Sequence, residues 1–492
     1  MNAAPAMDDG HNLTWLDRAI CGYLVLPLLL FCLLFQLPVA IVLFGLAAFG
    51  VSQAICRGKS PPCGLSLPWW CGIAILAMVW AALSGVGHFY FANTDWIIRD
   101  AVLHDIVAAG GLPSYQPPDG APLLLRAPIA YYLPAAALGH AFGQGAAQFG
   151  LFVWTFIGVA LFLASACRLF TTNKQHALCL LVLVLFSGMD LLGYIWRARS
   201  LPLPGENIEW WLSIIQFPSN AYLLAWVPNH ALPAWLATTL IVKYWRKAEL
   251  ATMTPLLSAA IPLWSPLAAI GLFPFFLFGL RWQKDFRTLF SIRSCMPFLL
   301  PAVAAASFLT MSAATIKHGW FINAYPTLGA FLYSYALFCL LEFGILALIL
   351  LRLGKVDAKF VIAAVMLCLL PLYVYGPYND VAMRSSIPPL LILALTTVDP
   401  LANFQRSTWH VLLIFVLAVG SITALEELVR PLLLRSWPAL NQSIPDAVMT
   451  EHSWSPTRYP THYLATYGDH DISRWLRPPV RIDHEPARQV AQ

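Results

Sequence analysis

Charge is scarce in this chain. Only 11% of its 492 residues are Asp, Glu, Lys or Arg, against 59% hydrophobic residues, and mean hydropathy is +0.69. That balance lies far outside the soluble range, so a length that would otherwise suggest several soluble domains points to one integral membrane unit. A basic leader is also missing. The opening residues, MNAAPAMDDGHNLTWLDR, carry acids where a signal peptide carries bases, and the apolar run behind them is too long for one. The expectation is a retained cytoplasmic tail and a first anchor. The ten cysteines show no CxxC spacing and fall mostly in apolar segments, as Cys21, Cys32, Cys179, Cys339 and Cys368 do. They read as small buried hydrophobes, with no disulfide framework. No P-loop, GxGxxG, HExxH or GxSxG stands in a supporting context. The net charge of +5 is modest and gives no sign of nucleic acid binding.

Apolar runs long enough to cross ~30 Å of hydrocarbon as helices recur along the chain, without the period-two pattern of a barrel. The expected fold is all-α: a polytopic transmembrane helical bundle of about 11–13 spans. The run from 19 to 56 is interrupted at Gln36 and Pro38 and reads as a hairpin. Arg57 and Lys59 then mark a cytoplasmic loop, and Trp69 to Phe91 leads outward. Residues 92–145 form an exoplasmic loop in which PIAYYLPAAALGHAFG is a juxtamembrane helix. With that parity the basic segments KYWRK, RWQKDFRTLFSIR and LRLGKVDAK fall inside, while KHGWFINAYPT and GPYNDVAMRS fall outside. The run Met253 to Leu280 is broken at PLWSP into two helices. An integral domain is expected over 1–428, with an exoplasmic tail over 429–492. The predicted location is a bacterial-type cytoplasmic membrane, with the N-terminus inside.

Against this sparse background one stretch is crowded. NTDWIIRDAVLHD places Asp95, Arg99, Asp100, His104 and Asp105 within eleven residues just past an outward helix. A carboxylate at that depth can serve as a general base toward a hydroxyl or ligate a divalent metal. Arg99, one turn on, can pair with it or reach a phosphate. The competing account is a solvated helix laced with i to i+4 pairs. Farther on, Asp190 sits at the expected outer end of its helix, with Arg197, Arg199, Glu206 and Glu209 following; it serves a site or pairs with Arg197 or Arg199. YGPYNDVAMRS gathers Tyr375, Tyr378, Asn379, Asp380 and Arg384 at a helix break, where a guanidinium can hold a phosphate. A simple Asp380 to Arg384 bridge is the alternative. Asn229 and His230, beside Pro228, form a mid-span polar pair that lines a cavity or makes an interhelical hydrogen bond.

An outward helix followed at once by Asp95, then a juxtamembrane helix, the Gly111-Leu112-Pro113 turn, a Tyr- and Pro-rich segment and an apolar helix, resembles the first exoplasmic loop of the GT-C superfamily. These are membrane glycosyltransferases that use polyprenyl-phosphate sugars, such as oligosaccharyltransferases, protein O-mannosyltransferases and aminoarabinose transferases. The likeness covers roughly residues 69 to 200 in the order of elements. It implies an inverting enzyme in which Asp95 is the catalytic carboxylate, the base that takes the acceptor hydroxyl proton. Asp95, Asp100 and Asp105 fall five apart rather than adjacent, so a two-carboxylate metal site is not expected on this segment; a divalent metal is otherwise left open. The resemblance further implies a polyprenyl-phosphate sugar donor, an exoplasmic glycan, lipid or protein acceptor, and membrane lipid as surroundings. Substrate or phosphate contacts are expected from Arg384, Asp380, Asn379, Arg99, His104, Asp190, Arg197, Arg199 and His230. Competing functions are a transporter or flippase for a lipid-linked or small polar substrate, and a non-catalytic subunit of an envelope polysaccharide system.

Overall fold

A computed structural model describes residues 13–55, 64–117, 120–280, 292–313, 316–376, 379–450 and 463–482. Arg57, Lys59, most of the RWQKDFRTLFSIR segment and Tyr378 lie outside the described residues. Among the described residues, seven helices are long and apolar enough to cross a membrane, with shorter apolar helices between them. The chain is therefore a multi-pass, all-α membrane protein, as the scarcity of charge requires.

The α-helices of the first half are α1 (Trp15–Cys32), α2 (Leu37–Ile55), α3 (Leu67–Leu83), α4 (Asp95–Ala109), α5 (Leu133–Phe142), α6 (Gln144–Cys167), α7 (Asn173–Leu185), α8 (Asp190–Ala198), α9 (Asn220–Trp226) and α10 (Pro228–Lys243). The second half adds α11 (Ala248–Trp264), α12 (Pro266–Leu280), α13 (Ile292–Thr310), α14 (Leu328–Cys339), α15 (Ile345–Arg352), α16 (Ala358–Leu369), α17 (Asp380–Ser385), α18 (Ile387–Ala402), α19 (Thr408–Leu433) and α20 (Ile444–Thr450). The expected hairpin at Gln36 and the break at PLWSP are both present.

Two of the breaks share a cause. A residue before proline is driven out of the helical region by the pyrrolidine ring. Val227, before Pro228, takes φ −142° and ψ 51°; Ser265, before Pro266, takes φ −164° and ψ 100°. Each break frees backbone and side-chain polar groups between two apolar helices, where they can bond to neighbouring helices.

Contacts sort the loops to two ends of the bundle. At one end Lys243 Nζ pairs with Asp17 at 2.6 Å and Arg168 donates to Thr14 at 2.8 Å. At the same end Trp69 donates to Asn173, and Lys174 and Gln175 donate to Ala402 and Asp399. Arg352 lies over Trp409 and Lys359 over Trp245. Most of the described lysines of the loops thus gather opposite the Asp95 stretch. Between the ends, helix association in lipid depends on close packing and a few hydrogen bonds. Tyr23 stacks on Trp154 at 4.0 Å and donates to its carbonyl, and Trp264 donates to the Leu24 carbonyl at 2.9 Å. A side chain at Gly271 would overlap the Ser385 carbonyl, so its absence lets α12 and α17 touch.

The described tail residues pack onto the first loop. Strands β1 (Pro113–Tyr115) and β2 (Leu123–Leu125) pair antiparallel; β5 (Leu464–Thr466) pairs antiparallel with β2, and β6 (Val480–Arg481) parallel with β1. A separate pair joins β3 (His318–Trp320) to β4 (Tyr373–Tyr375). This packing overturns the solvated-helix account of the stretch at two positions, Asp100 and Asp105. Both are buried, Asp100 at 2.9 Å from His88 Nε2 and accepting from Leu440 N, Asp105 accepting from Tyr115 and from Ile444 N. The tail supplies donors that replace water.

Candidate functional site

The first turn of α4 is held from below. Asn93 donates from Nδ2 to the Ala225 carbonyl at 2.8 Å and accepts the Asp95 amide at 3.0 Å, while Trp96 Nε1 donates to the same carbonyl at 3.1 Å. Two side chains thus bolt α4 to α9, one turn before the Val227 break. Asp95, at the exposed side of this joint, keeps 41% of its side chain open.

Arg99 is buried, and both of its terminal nitrogens are engaged by neighbours. It donates to Tyr132 Oη at 3.3 Å, to Asn229 Oδ1 at 3.1 Å and to the Trp226 carbonyl freed by the break. Its distance to Asp95 Oδ2 is 3.5 Å, an i to i+4 pair. Next along α10, His230 Nδ1 lies 2.6 Å from Ser265 Oγ at the second pre-proline break. Asn229 and His230 therefore do make interhelical hydrogen bonds, and Asn229 makes its bond to the Asp95 partner.

The second half of the chain contributes α17. Gly376 has φ +87°, and a Cβ there would overlap the Asp380 carboxylate, so only glycine fits this turn. Asn379, buried with φ +56°, accepts the Ala382 amide as the N-cap. Asp380 and Arg384 pair at 3.0 Å, as the simpler sequence reading anticipated. That pair is not remote from Asp95: the charges of both Arg384 and Asp380 act on the Asp95 carboxyl, and Arg384 acts on His230 as well. Burial pushes the Asp95 carboxyl above its ordinary value, and Arg99 and Arg384 oppose that rise without cancelling it.

Two site groups escaped sequence reasoning. Tyr132, inside the apolar segment of the juxtamembrane helix, reads as an interfacial anchor. Tyr463, from the tail, has its hydroxyl in the field of Arg99, Asp95 and Arg384, and burial pushes it upward. Its carbonyl accepts the Arg126 amide at 2.7 Å, the first rung of the sheet that anchors the tail. No local signal marks either tyrosine.

Four expected contributors are elsewhere. His104 pairs with Asp105 at 3.0 Å, nine residues or about 13 Å along the helix at 1.5 Å per residue. Asp190 does not pair with Arg197 or Arg199. It begins α8 after a break at Phe186–Met189, is fully buried, and accepts from Ser187 at 2.8 Å. Arg197 donates to the Trp211 carbonyl and Ser213, and Arg199 is an exposed left-handed cap with φ +57°. Their chain segment closes on its own loop, so neither joins Asp95.

The residues present do not fit a divalent metal. Asp95 faces guanidinium groups, and among the described residues no group of three or more His, Cys, Asp or Glu side chains is arranged to hold one. What the arrangement can do is hold an open carboxylate as an acceptor beside cations that favour an anion. Comparison with protein-family models, with curated proteins and with solved structures returns no match.

Proposed function

We propose that the chain is a GT-C-like glycosyltransferase of a bacterial-type inner membrane, moving a sugar from a polyprenyl phosphate to an exoplasmic acceptor. The observation that carries this reading is that Asp95, 41% open, lies in the electrostatic field of Arg384, which comes nearly 300 residues later in the chain. Asp95 removes the acceptor hydroxyl proton as the sugar carbon is attacked from the face opposite the lipid phosphate, which inverts that carbon. The leaving phosphate takes the electron pair of the broken bond, and Arg384 stabilises its charge. Arg99, spent on Tyr132, Asn229 and the Trp226 carbonyl, positions Asp95. Gathering of the described basic loops at the opposite end of the bundle supports a cytoplasmic face there. Reconstitution with labelled polyprenyl-phosphate sugars tests the reading, which is lost if Asp95→Asn and Arg384→Ala both transfer sugar at the wild-type rate.

One observation favours a second reading, transport of a lipid-linked or small polar substrate. Helices interrupted at Val227 and Ser265 meet through His230, an arrangement that transporters use at their binding sites. Movement of the labelled lipid across the bilayer with no acceptor present distinguishes it from transfer.

A further inference from the structure

A second buried polar cluster lies where α8, the loop 199–219, the segment between α14 and α15, and α19 come together. It takes no part in the reaction assigned to Asp95, and its own chemistry is independent of that assignment. Its centre is Asp190 and Glu342, 0% and 3% exposed. Each has one oxygen satisfied: Ser187 Oγ donates to Asp190 Oδ2 at 2.8 Å, and Trp211 Nε1 donates to Glu342 Oε1 at 2.8 Å. The other two oxygens, Asp190 Oδ1 and Glu342 Oε2, receive no hydrogen bond from any N–H or hydroxyl. The two carboxyl groups face each other across a narrow gap: Gly188, two residues before Asp190, lies so close to Glu342 Oε2 that a Cβ there would overlap it.

The backbone is built to bring them together. Leu340–Gly344 is a π-helical turn inside an otherwise α-helical span, and Glu342 is its middle residue. Such a turn carries one extra residue and displaces its side chains from the helical register, a device common at functional sites. Opposite it the α7–α8 break places Gly188, where a Cβ would overlap Glu342 Oε2. The Met189 amide donates to the Leu341 carbonyl at 3.1 Å, which locks the two irregular segments in register.

Two buried carboxyl groups brought together with an unpartnered oxygen each are stable when a proton lies between them; two bare carboxylates repel. Among the described residues the surroundings do not supply a compensating cation to the pair. Glu209 from the loop, buried and bonded to Gln216 and the Ser219 amide, adds negative charge, and Cys339 faces Glu342 from its own helix. On α19, Glu427 is taken by Arg430 at 2.6 Å and by Trp226 Nε1 at 3.1 Å. Arg430 is thus neutralised by its own neighbour, and Thr423 is the α19 side chain beside Asp190. We propose that Asp190 and Glu342 form a proton-binding site within the membrane, sharing one proton at neutral pH.

The full-length protein in lipid nanodiscs allows a direct test. Infrared spectra at neutral pH should show the carbonyl band of a protonated carboxylic acid, shifted in deuterated water, and Asp190→Asn and Glu342→Gln should each remove it. Difference spectra against these variants cancel Glu209 and Glu427. Dicyclohexylcarbodiimide, into which a protonated buried carboxyl adds with no leaving group, should label the peptide carrying Asp190 or Glu342 in the wild type and fall to background in both variants. Because an amide replaces the shared proton with its own N–H donor, at least one of the two variants should keep the wild-type melting temperature. If one misfolds, the other variant and the wild-type band still decide. The proposal is overturned if no protonated band is present at neutral pH, if the band survives both substitutions, or if added Mg²⁺ or Mn²⁺ abolishes band and label, which would make the pair a cation site.

Discussion

Arg99 lies one helical turn from Asp95 yet gives it only a long contact, 3.5 Å, while donating to Tyr132, Asn229 and the Trp226 carbonyl. A guanidinium held by three other acceptors cannot swing to neutralise the carboxylate. Asp95 therefore keeps open acceptor capacity beside a fixed positive charge, the arrangement a base requires.

Substituting Asp95 by Asn keeps the shape of the side chain and removes its basicity. Transfer should fall by about 10²–10⁴-fold, the usual contribution of a positioned general base. Initial rates with a saturating donor read this out, and a smaller loss would return Asp95 to a binding role.

The same variant should leave stability at neutral pH intact or raise it. A carboxyl whose folded value lies above its unfolded one binds its proton more tightly when folded, so its contribution is present below the ordinary carboxylate range and is lost as pH rises through the raised value. Asn removes that loss. Thermal unfolding in detergent near pH 7 checks it; a clear fall in melting temperature for Asp95→Asn contradicts the assignment.

Arg384 and Arg99 both favour the charged form of Asp95. With the base active only when deprotonated, activity should rise with pH along an acid limb displaced above the ordinary carboxylate range. Arg384→Ala removes one opposing cation and should move that limb to still higher pH, besides lowering the maximal rate. Profiles of kcat/KM against pH for the two proteins decide; an unmoved limb places Arg384 outside electrostatic reach of the base.

Arg99→Met should destabilise the fold by about 1–3 kcal/mol, because Asn229 and the Trp226 carbonyl lose a buried donor. Arg99→Lys should recover only part of it, since an ammonium cannot reproduce the planar fork. Denaturation midpoints measured under one detergent condition compare the three proteins.

Asp105→Ala tests the clasp on the tail. It strips acceptors from Tyr115 and the Ile444 amide, both buried, at about 1–3 kcal/mol for the groups left unsatisfied. Limited proteolysis should cut after Leu433 faster than in the wild type while the helical bundle stays intact. Equal cleavage rates would show that the sheet alone holds the tail.

Much of the fold was legible in the chain itself, and the parts that were not have identifiable reasons. Scarcity of charge and long apolar runs announced a helical membrane protein, and PLWSP marked a break at Pro266 that local sterics enforce, whereas the break before Pro228 falls in a run that reads as one span. Asp95 stood out by its place just past an outward apolar helix, at the head of a charge cluster in a chain with little charge. The second group of expectations failed for one reason: Asp100 and Asp105 look like solvated helix charges until the tail folds over them, and burial by a segment more than 330 residues away leaves no trace in their own neighbourhood. Asp190 likewise reads as a helix-end acid; only the π-helical turn at Glu342 reveals its partner.

By itself, then, the sequence determined the class of solvent, most of the helices and the breaks at Gln36 and PLWSP, because hydrophobicity, proline sterics and capping act over a few residues. Which polar groups meet was decided by tertiary structure alone. Asp95 and Arg384 share a field, the Tyr463 hydroxyl lies in it, and Asp190 is brought beside Glu342, because packing between distant helices sets those placements, and in an apolar interior a polar group stays only where a partner is brought to it.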